Sequence, residues 1–320
     1  MNEDGAREQS LAVGYTRCRA RLIRVAYAIA GTHAEAEDVV SDCWLRLVSA
    51  DARETVRDVE AWATVTVAHA ALDVLRSARR RREEYVGPWL PEPILGPQAG
   101  GGPDPAEQAA FHETVSFAVM VLLETLTPAE RTAWALHELF GLPFTEIAEV
   151  VGRSPAAVRQ LAVRARAHIA AGAPRVHVDR GEHQRAVNAF AAAAAGGDLA
   201  GLLRILDPEV VLTSDGGGQV SAARRPVHGA ERVARFLLGV MTRITPGQRL
   251  VPVTVNGTPG FAVSEGGRTV NVCALTVQDG LIRRVDFILA PGKLSAPSLE
   301  GCTRRSVTPG HREASAEQIP

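Results

Sequence analysis

The segment GPWLPEPILGPQAGGGPDP, residues 87–105, sets the plan of the chain. Its six prolines and five glycines forbid a helix through it: proline lacks an amide donor and fixes φ, and glycine loses the most backbone entropy on folding. What lies on either side must fold as units joined here. Yet Trp89, Leu90, Ile94 and Leu95 are apolar. A free linker is polar, so this one is expected to dock on something.

Residues 7–86 read as helical. Leu22, Ile23, Ala26 and Tyr27 keep 3–4 spacing and Gly31 ends that helix. Thr32-His33-Ala34-Glu35 has the capping-box pattern for a second helix. Ala36, Val40, Cys43, Trp44 and Leu47 form its expected buried stripe; Glu37, Asp38, Ser41 and Asp42, beside Val39 and Leu45, form its exposed side. A third helix runs from about Val59 to Arg82, with Trp62, Val65, Leu72 and Leu75 apolar, and ends in an arginine run from Arg76. Residues 106–171 are helical again. Thr127-Pro128-Ala129-Glu130 places a cap, a first-turn proline and an N3 glutamate in order. Residues 144–170 read as helix, turn at Gly152, and a second helix capped by Ser154 with Pro155 first: a helix-turn-helix.

After Pro174 the texture changes. Helices near 180–195 and 198–206 precede strand-like segments near 209–214, 248–255, 259–264, 269–278 and 281–290, with a helix near 229–241. Helices followed by a run of antiparallel strands make an α+β unit. Residues 296–320 are polar and are expected to be a disordered tail.

Lysine plus arginine number 35 and aspartate plus glutamate 36, a net charge of −1. That excludes a uniformly basic nucleic-acid coat but not local basic faces. Lys293 is the sole lysine; every other long cation is arginine. No apolar run approaches the roughly 20 residues that span a bilayer, and the start, MNEDGAREQS, lacks a secretory apolar region. Cys18, Cys43, Cys273 and Cys302 are scattered, without a CxxC pair or a histidine at zinc spacing. Neither a disulfide framework, a metal nor another cofactor is indicated, and a cytoplasmic protein without a membrane partner is expected.

Each motif has a plain and a chemical reading. Val158, Leu161 and Ala165 should pack on Ile147 and Val150, leaving Ala156, Arg159, Gln160, Val163, Arg164 and Arg166 outward. Arginine pairs with guanine and phosphate and glutamine with adenine; alternatively this is a helical hairpin with a solvated arginine face. The Arg76–Arg82 run can hold phosphates or simply favour a helix C-terminus. Trp62 packs in a core or stacks on an unpaired base. The acidic side of the second helix meets a basic partner helix or only water.

Together these pieces are more specific. AEAEDVVSDCWLRL (34–47), VEAWATVTVAHAALDVLRSARRRR (59–82) and TLTPAERTAWALHELFGLPFTEIAEVVGRSPAAVRQLAVRARAHI (125–169) resemble regions 2.2, 2.3–2.4 and 4 of extracytoplasmic-function sigma factors of bacterial RNA polymerase. YVGPWLPEPIL (85–95), SDGGGQVSAARRPVHGAERVARFL (214–237) and DGLIRRVDFILAPGKL (279–294) resemble the subgroup with a fused SnoaL-like domain. That subgroup usually has lysine where Gln219 stands, and Asn-Pro-Asp-Lys-Leu where this chain has Ala290 to Leu294.

The resemblance implies two all-α sigma domains, a region 2 bundle at 1–86 and a region 4 helix-turn-helix at 106–174, followed by an α+β cone domain of SnoaL and ketosteroid-isomerase type at 175–295. It implies docking on the β′ clamp helices of core polymerase through Glu37, Asp38, Asp42 and Leu45, and on the β flap through the hairpin with Leu136, Leu139 and Phe140. Promoter contacts would be Arg57, Trp62, His69, Asp73, Arg76 and Arg80 at the −10 element and Ser154, Arg159, Gln160, Arg164 and Arg166 at the −35 element. A regulatory contact would join Trp89, Leu90, Pro91, Glu92 and Pro93 to Asp215, Gly216, Gly217, Gly218, Lys293 and Leu294, so that no separate anti-sigma factor is required.

Some relatives of the cone fold move protons, and Asp207, Asp215, His228 and Asp286 are candidate acids or bases. Locally, Asp207 reads as a helix-ending turn, Asp215 as a turn residue and Asp286 as a solvated strand acid. A small ligand in this domain is the milder alternative. Three classes therefore stand: a promoter-recognition subunit, a ligand-sensing one-component DNA-binding regulator, and an isomerase or cyclase with a DNA-binding part. The first is expected, since an ordinary regulator needs no core-binding helix.

Overall fold

The computed structural model describes residues 3–82, 85, 87–97, 115–172 and 180–294. The expected tail and the expected helical start at 106–114 lie outside the described residues.

Three helices come first: α1 (Glu3–Ala30), α2 (His33–Asp51) and α3 (Val59–Arg82). Gly31 closes α1 at φ 92°, its amide bonded to the Tyr27 carbonyl. Residues 87–94 of the linker follow without helix and lead into a short strand, β1 (Leu95–Pro97); residues 98–105 lie outside the described residues. Next come α4 (Phe117–Leu123), α5 (Pro128–Trp134) with a π-helical turn at Ala135–Leu139, α6 (Phe144–Val151) and α7 (Pro155–Gly172). The Thr127–Glu130 capping box forms in full at the start of α5. Gly152, in the left-handed region at φ 69°, makes the turn between α6 and α7.

Helices α1–α3 and α4–α7 do not keep separate cores. Leu22, Val40, Leu72, Met120, Leu136, Ile147 and Val158 belong to one apolar cluster. Polar bonds cross the same boundary: Arg131 Nε donates to the Ala28 carbonyl at 2.9 Å, Arg79 to Leu126 at 2.7 Å and Arg21 to Phe140 at 3.1 Å.

The C-terminal unit comprises α8 (Arg180–Ala195), α9 (Leu199–Ile205), β2 (Leu206–Asp215), β3 (Val227–His228), α10 (Ala230–Met241), β4 (Gln248–Val255), β5 (Thr258–Glu265), β6 (Arg268–Gln278) and β7 (Leu281–Ile288), then a 3-10 turn at Pro291–Lys293. The sheet order is β1-β4-β5-β6-β7-β2-β3; among the described residues only β2 and β7 pair in parallel. The linker thus supplies the edge strand, Leu95 opposite Val255. An edge is the place in a sheet where Pro97, without an N–H, is tolerated.

Alternation gives the sheet two apolar faces. Leu212, Phe261, Cys273, Leu275, Val285 and Phe287 face α8–α10, forming one core. Val253, Val255, Ala262, Val272, Ala274 and Ile288 face outward and are covered by Leu90 and Phe117. The outer face is therefore the surface on which the N-terminal helical half sits.

His183 of α8 is buried, with Nε2 3.1 Å from the Pro259 carbonyl. Burial lowers its pKa from 6.5, opposed by that carbonyl. The ring stays neutral in the fold while the unfolded chain takes up a proton. Stability is therefore full above 6.5 and is lost as pH falls from there toward the lower folded value. Thermal melts from about pH 7 to about pH 5 should show a steeper loss for the parent than for His183→Gln; equal slopes would contradict this.

Candidate nucleic-acid interface and linker clamp

The second helix of the helix-turn-helix starts at Pro155, and Ser154 Oγ accepts the Ala157 amide at 3.3 Å. Val158, Leu161 and Ala165 are buried against α6, so Ala156, Arg159, Gln160, Val163, Arg164 and Arg166 are exposed. Gln160 and Arg159 stand side by side, with the Arg159 guanidinium 5.3 Å from the Phe144 ring centroid. Arg164 reaches Glu130 at 3.5 Å, and Arg166 is paired with Glu138. Those two arginines would have to exchange protein carboxylates for phosphates on binding DNA.

On α3, Trp62, His69, Asp73, Arg76 and Arg80 recur every 3–4 or 7 residues and share one side. His69, Asp73 and Arg76 are exposed, Arg76 bonding Asp73 at 3.3 Å, and Arg57 is exposed before the helix. Trp62 is half-buried against the helical core. The Arg80 side chain lies outside the described residues. Leu136 of the π-turn is fully buried, so it is a core residue; Leu139 and Phe140 are half-buried.

On α2, Glu37, Asp38, Asp42 and Leu45 are exposed, Leu45 at 66%. Val39, expected beside them, is instead buried in the shared helical core. The expected capping box of α2 also differs. Thr32 Oγ1 bonds the Glu35 carboxylate, not a backbone amide. The amides of His33 and Ala34 are taken by Glu92 from the linker, His33 at 2.8 Å. Burial raises the pKa of Glu92, opposed by these two amides.

The linker is where the halves meet. Leu90 N–H donates to Asp215 Oδ2 at 2.9 Å and Leu90 C=O accepts from Lys293 Nζ at 2.5 Å. Glu92 N–H donates to Gly31 C=O at 3.1 Å and Glu92 C=O accepts from the Tyr27 hydroxyl at 2.7 Å. Ile94 N–H donates to Asn256 Oδ1 at 3.0 Å and Ile94 C=O accepts from Asn256 N–H at 2.8 Å. The residues between, Pro91 and Pro93, are buried and have no amide donor. Alternate residues thus bond the C-terminal unit, the first helical bundle, and the C-terminal unit again.

Lys293 and Asp215 anchor one end. Both are buried; their ion pair is 2.5 Å, and Lys293 Nζ lies 3.1 Å from the Trp89 ring centroid. Tyr85 donates to Asp215 Oδ1, which also accepts the Gly217 amide at 3.0 Å. Asp215, read from the sequence as a turn residue, is instead the last residue of β2, and its carboxylate is the counter-ion of a buried cation. A Cβ at Gly216 would collide with the Val220 carbonyl, and Gly217 and Gly218 have φ 66° and 69°. Where the related lysine is missing, Gln219 is exposed and its backbone amide bonds Gly216.

Sigma-70 region 2 matches residues 15–81 and Sigma-70 region 4 matches residues 116–169. The ECF RNA polymerase sigma factor SigJ of Mycobacterium tuberculosis is 40% identical over 294 residues, covering 88% of this chain and 92% of that protein. The chain belongs to the extracytoplasmic-function sigma factors of RNA polymerase. The probable ECF sigma factor SigI of the same organism is 32% identical, covering 86% of this chain and 92% of that protein. The crystal structure of SigJ superposes with a TM-score of 0.71 at 36% identity, covering 87% of this chain and 95% of the other.

The four candidate proton-transfer groups of this sigma factor are dispersed. A cavity of about 980 Å³ lies between the sheet and its helices, and none of Asp207, Asp215, His228 or Asp286 lines it. Asp207 is buried, accepting from the Glu209 amide and ion-paired with Arg283 at 3.1 Å. His228 is exposed. Asp286, expected to be solvated, is buried on the outer sheet face because Arg284 bonds both its oxygens, at 2.7 and 3.3 Å. Burial still raises its pKa, against Arg284.

Asn256 is the main residue that sequence reading missed. Buried, with φ 45°, it also donates to Tyr27 Oη and Val115 C=O. The Asn256-Gly257 pair is a hairpin-turn signal, but no sequence signal shows that its side chain would bridge three segments. Among the described residues no helix is long and apolar enough to cross a membrane.

Two measurements check the clamp. Pro93→Ala adds a donor to a buried backbone whose neighbouring carbonyls are engaged, so urea unfolding should show a loss of about 1–3 kcal/mol. Lys293→Ala strands a buried carboxylate and should cost about 3–5 kcal/mol, whereas Lys293→Met with Asp215→Leu should recover part of it. Unchanged midpoints would show that the clamp contributes nothing to stability.

Proposed function

We propose that this sigma factor directs promoter recognition by core RNA polymerase while its own C-terminal unit fixes the relative position of its two DNA-binding helices. The reading rests on the alternate bonding of Leu90, Glu92 and Ile94, which ties the linker to both halves of the chain at once. Core docking is assigned to Glu37, Asp38, Asp42 and Leu45, an exposed acidic and apolar patch suited to a basic helical partner such as the β′ clamp. The half-buried Leu139 and Phe140 are assigned to the β flap. The −10 contacts are assigned to Arg57, Trp62, His69, Asp73, Arg76 and Arg80, and the −35 contacts to Ser154, Arg159, Gln160, Arg164 and Arg166.

The outward faces of α3 and α7 are both exposed, so the arrangement does not mask DNA contacts. It sets their spacing through the shared helical core and the clamp. Adapting to a promoter on the polymerase would require that spacing to change. The C-terminal unit is therefore a regulator covalently attached to what it regulates, acting in the cytoplasm without a separate anti-sigma factor. It is not an enzyme in this reading: its candidate acids and base stand outside the cavity, and Cys273 inside it is held as a thiol by burial, reinforced by Asp286.

Run-off transcription with purified core polymerase tests the proposal. The full-length chain should initiate from a matched promoter, including its own upstream region. Lys293→Ala should change run-off yield by about threefold or more, in line with a coupling of a kcal/mol or so. No initiation from any promoter would leave a one-component regulator as the better reading. Initiation that ignores Lys293→Ala would remove the regulatory role of the clamp.

A further inference from the structure

The cavity in the C-terminal unit has a composition and a position that the promoter-binding role does not use. Phe190, Leu237, Met241, Leu250, Phe261 and Phe287 supply its apolar wall. Its volume, about 980 Å³, is at the upper end of small-molecule sites. Along β6, Cys273 and Asn271 face it by alternation, and past the register shift that follows Asn271 both Val270 and Thr269 also line it. The Asn271 side-chain oxygen is buried and finds no hydrogen-bond partner among the described residues. A buried acceptor in an apolar wall costs free energy unless something donates to it.

The wall also includes Val220, Leu289, Pro291 and Leu294. The first closes the glycine turn that follows Asp215, its amide bonded to Gly216 C=O. Leu289 N–H and Ala290 N–H both bond Asp215 C=O, at 2.7 and 3.0 Å, and Pro291 and Leu294 flank Lys293. The two segments that carry the buried ion pair are thus also cavity wall.

We infer that the cavity binds one mostly apolar ring compound bearing a hydroxyl group, which donates to Asn271, and that occupancy shifts the Asp215–Lys293–Leu90 contact through those wall segments. The second part rests on the regulatory reading above. A ligand that packs between α10 and the 289–294 segment alters the packing behind Lys293; by linkage, the clamp must alter ligand affinity by the same factor.

Hydroxypyrene and pyrene, both fluorescent, differ by the one group in question. Titrated onto the full-length chain, hydroxypyrene should bind once per chain and about tenfold more tightly than pyrene. Asn271→Leu should remove that difference while keeping pyrene binding. Ala191→Phe, at the half-buried α8 wall, should weaken both. Equal affinities in the parent, or a preference that survives Asn271→Leu, would overturn the site; Asn271→Leu decides even where Ala191→Phe does not fold. Hydrogen exchange on the unaltered chain reads the coupling. Saturating hydroxypyrene should change exchange of the Leu90 amide by about threefold or more, and unchanged exchange would overturn the coupling. The run-off test with Lys293→Ala uses no ligand, so failure of the regulatory reading appears there and failure of the ligand site appears here.

Discussion

A buried backbone must find partners for its amides and carbonyls, and the linker of this sigma factor meets that demand in an unusual way. Proline at 91 and 93 removes every second donor and favours extended chain before each ring. The remaining residues, Leu90, Glu92 and Ile94, each use both backbone groups. Their partners come alternately from the two halves. The segment can therefore lie between a helical bundle and a sheet with its polar groups satisfied, which an ordinary linker sequence could not do. The rest of the arrangement depends on this: the edge strand β1, the cap that Glu92 places on α2, and the cover of Leu90 over the outer sheet face.

The two ends of the segment are held by different chemistry. At Ile94 the partner is Asn256, a neutral amide in a hairpin turn. At Leu90 it is an ion pair, taken out of water beside Trp89 and Tyr85. A buried ion pair adds little net stability over an apolar substitute but is costly when half of it is lost. The near-zero net charge conceals acidic patches and arginine clusters on one chain.

Much of the helical half was legible in the sequence. Apolar spacing, the Gly31 and Gly152 stops and the Thr127–Glu130 box give helices close to the observed ones, because each is a local signal read within one or two turns. The exposed residues of α7 follow from the same periodicity. The α2 cap failed as a local reading: Thr32 and Glu35 bond each other, and Glu92 from across the interface accepts the neighbouring first-turn amides of His33 and Ala34. Val39 failed because a helix packed on two neighbours buries more than one stripe.

The sequence by itself determined the sigma-like helices, the helix-turn-helix, the α+β character of the C-terminal unit and the docking of an apolar, proline-rich linker. These depend on spacing and on residues next to one another. The resemblance implied that the linker meets Asp215 and Lys293, but only the tertiary structure decided which atoms bond and that Asn256 and the first helical bundle hold the rest. Asp215, Asn256 and Lys293 are 125, 162 and 203 residues from their linker partners, and no local pattern encodes such separations. The structure also decided the fate of the candidate acids. Strand alternation and the β2–β7 pairing put Asp215 and Asp286 on the outer face, away from the cavity, so one serves the clamp and the other an arginine. The sole lysine shows the difference most clearly: the resemblance placed it at a contact with the linker, and the fold shows the chemistry of that contact, an ammonium buried between a carboxylate, a carbonyl and an indole.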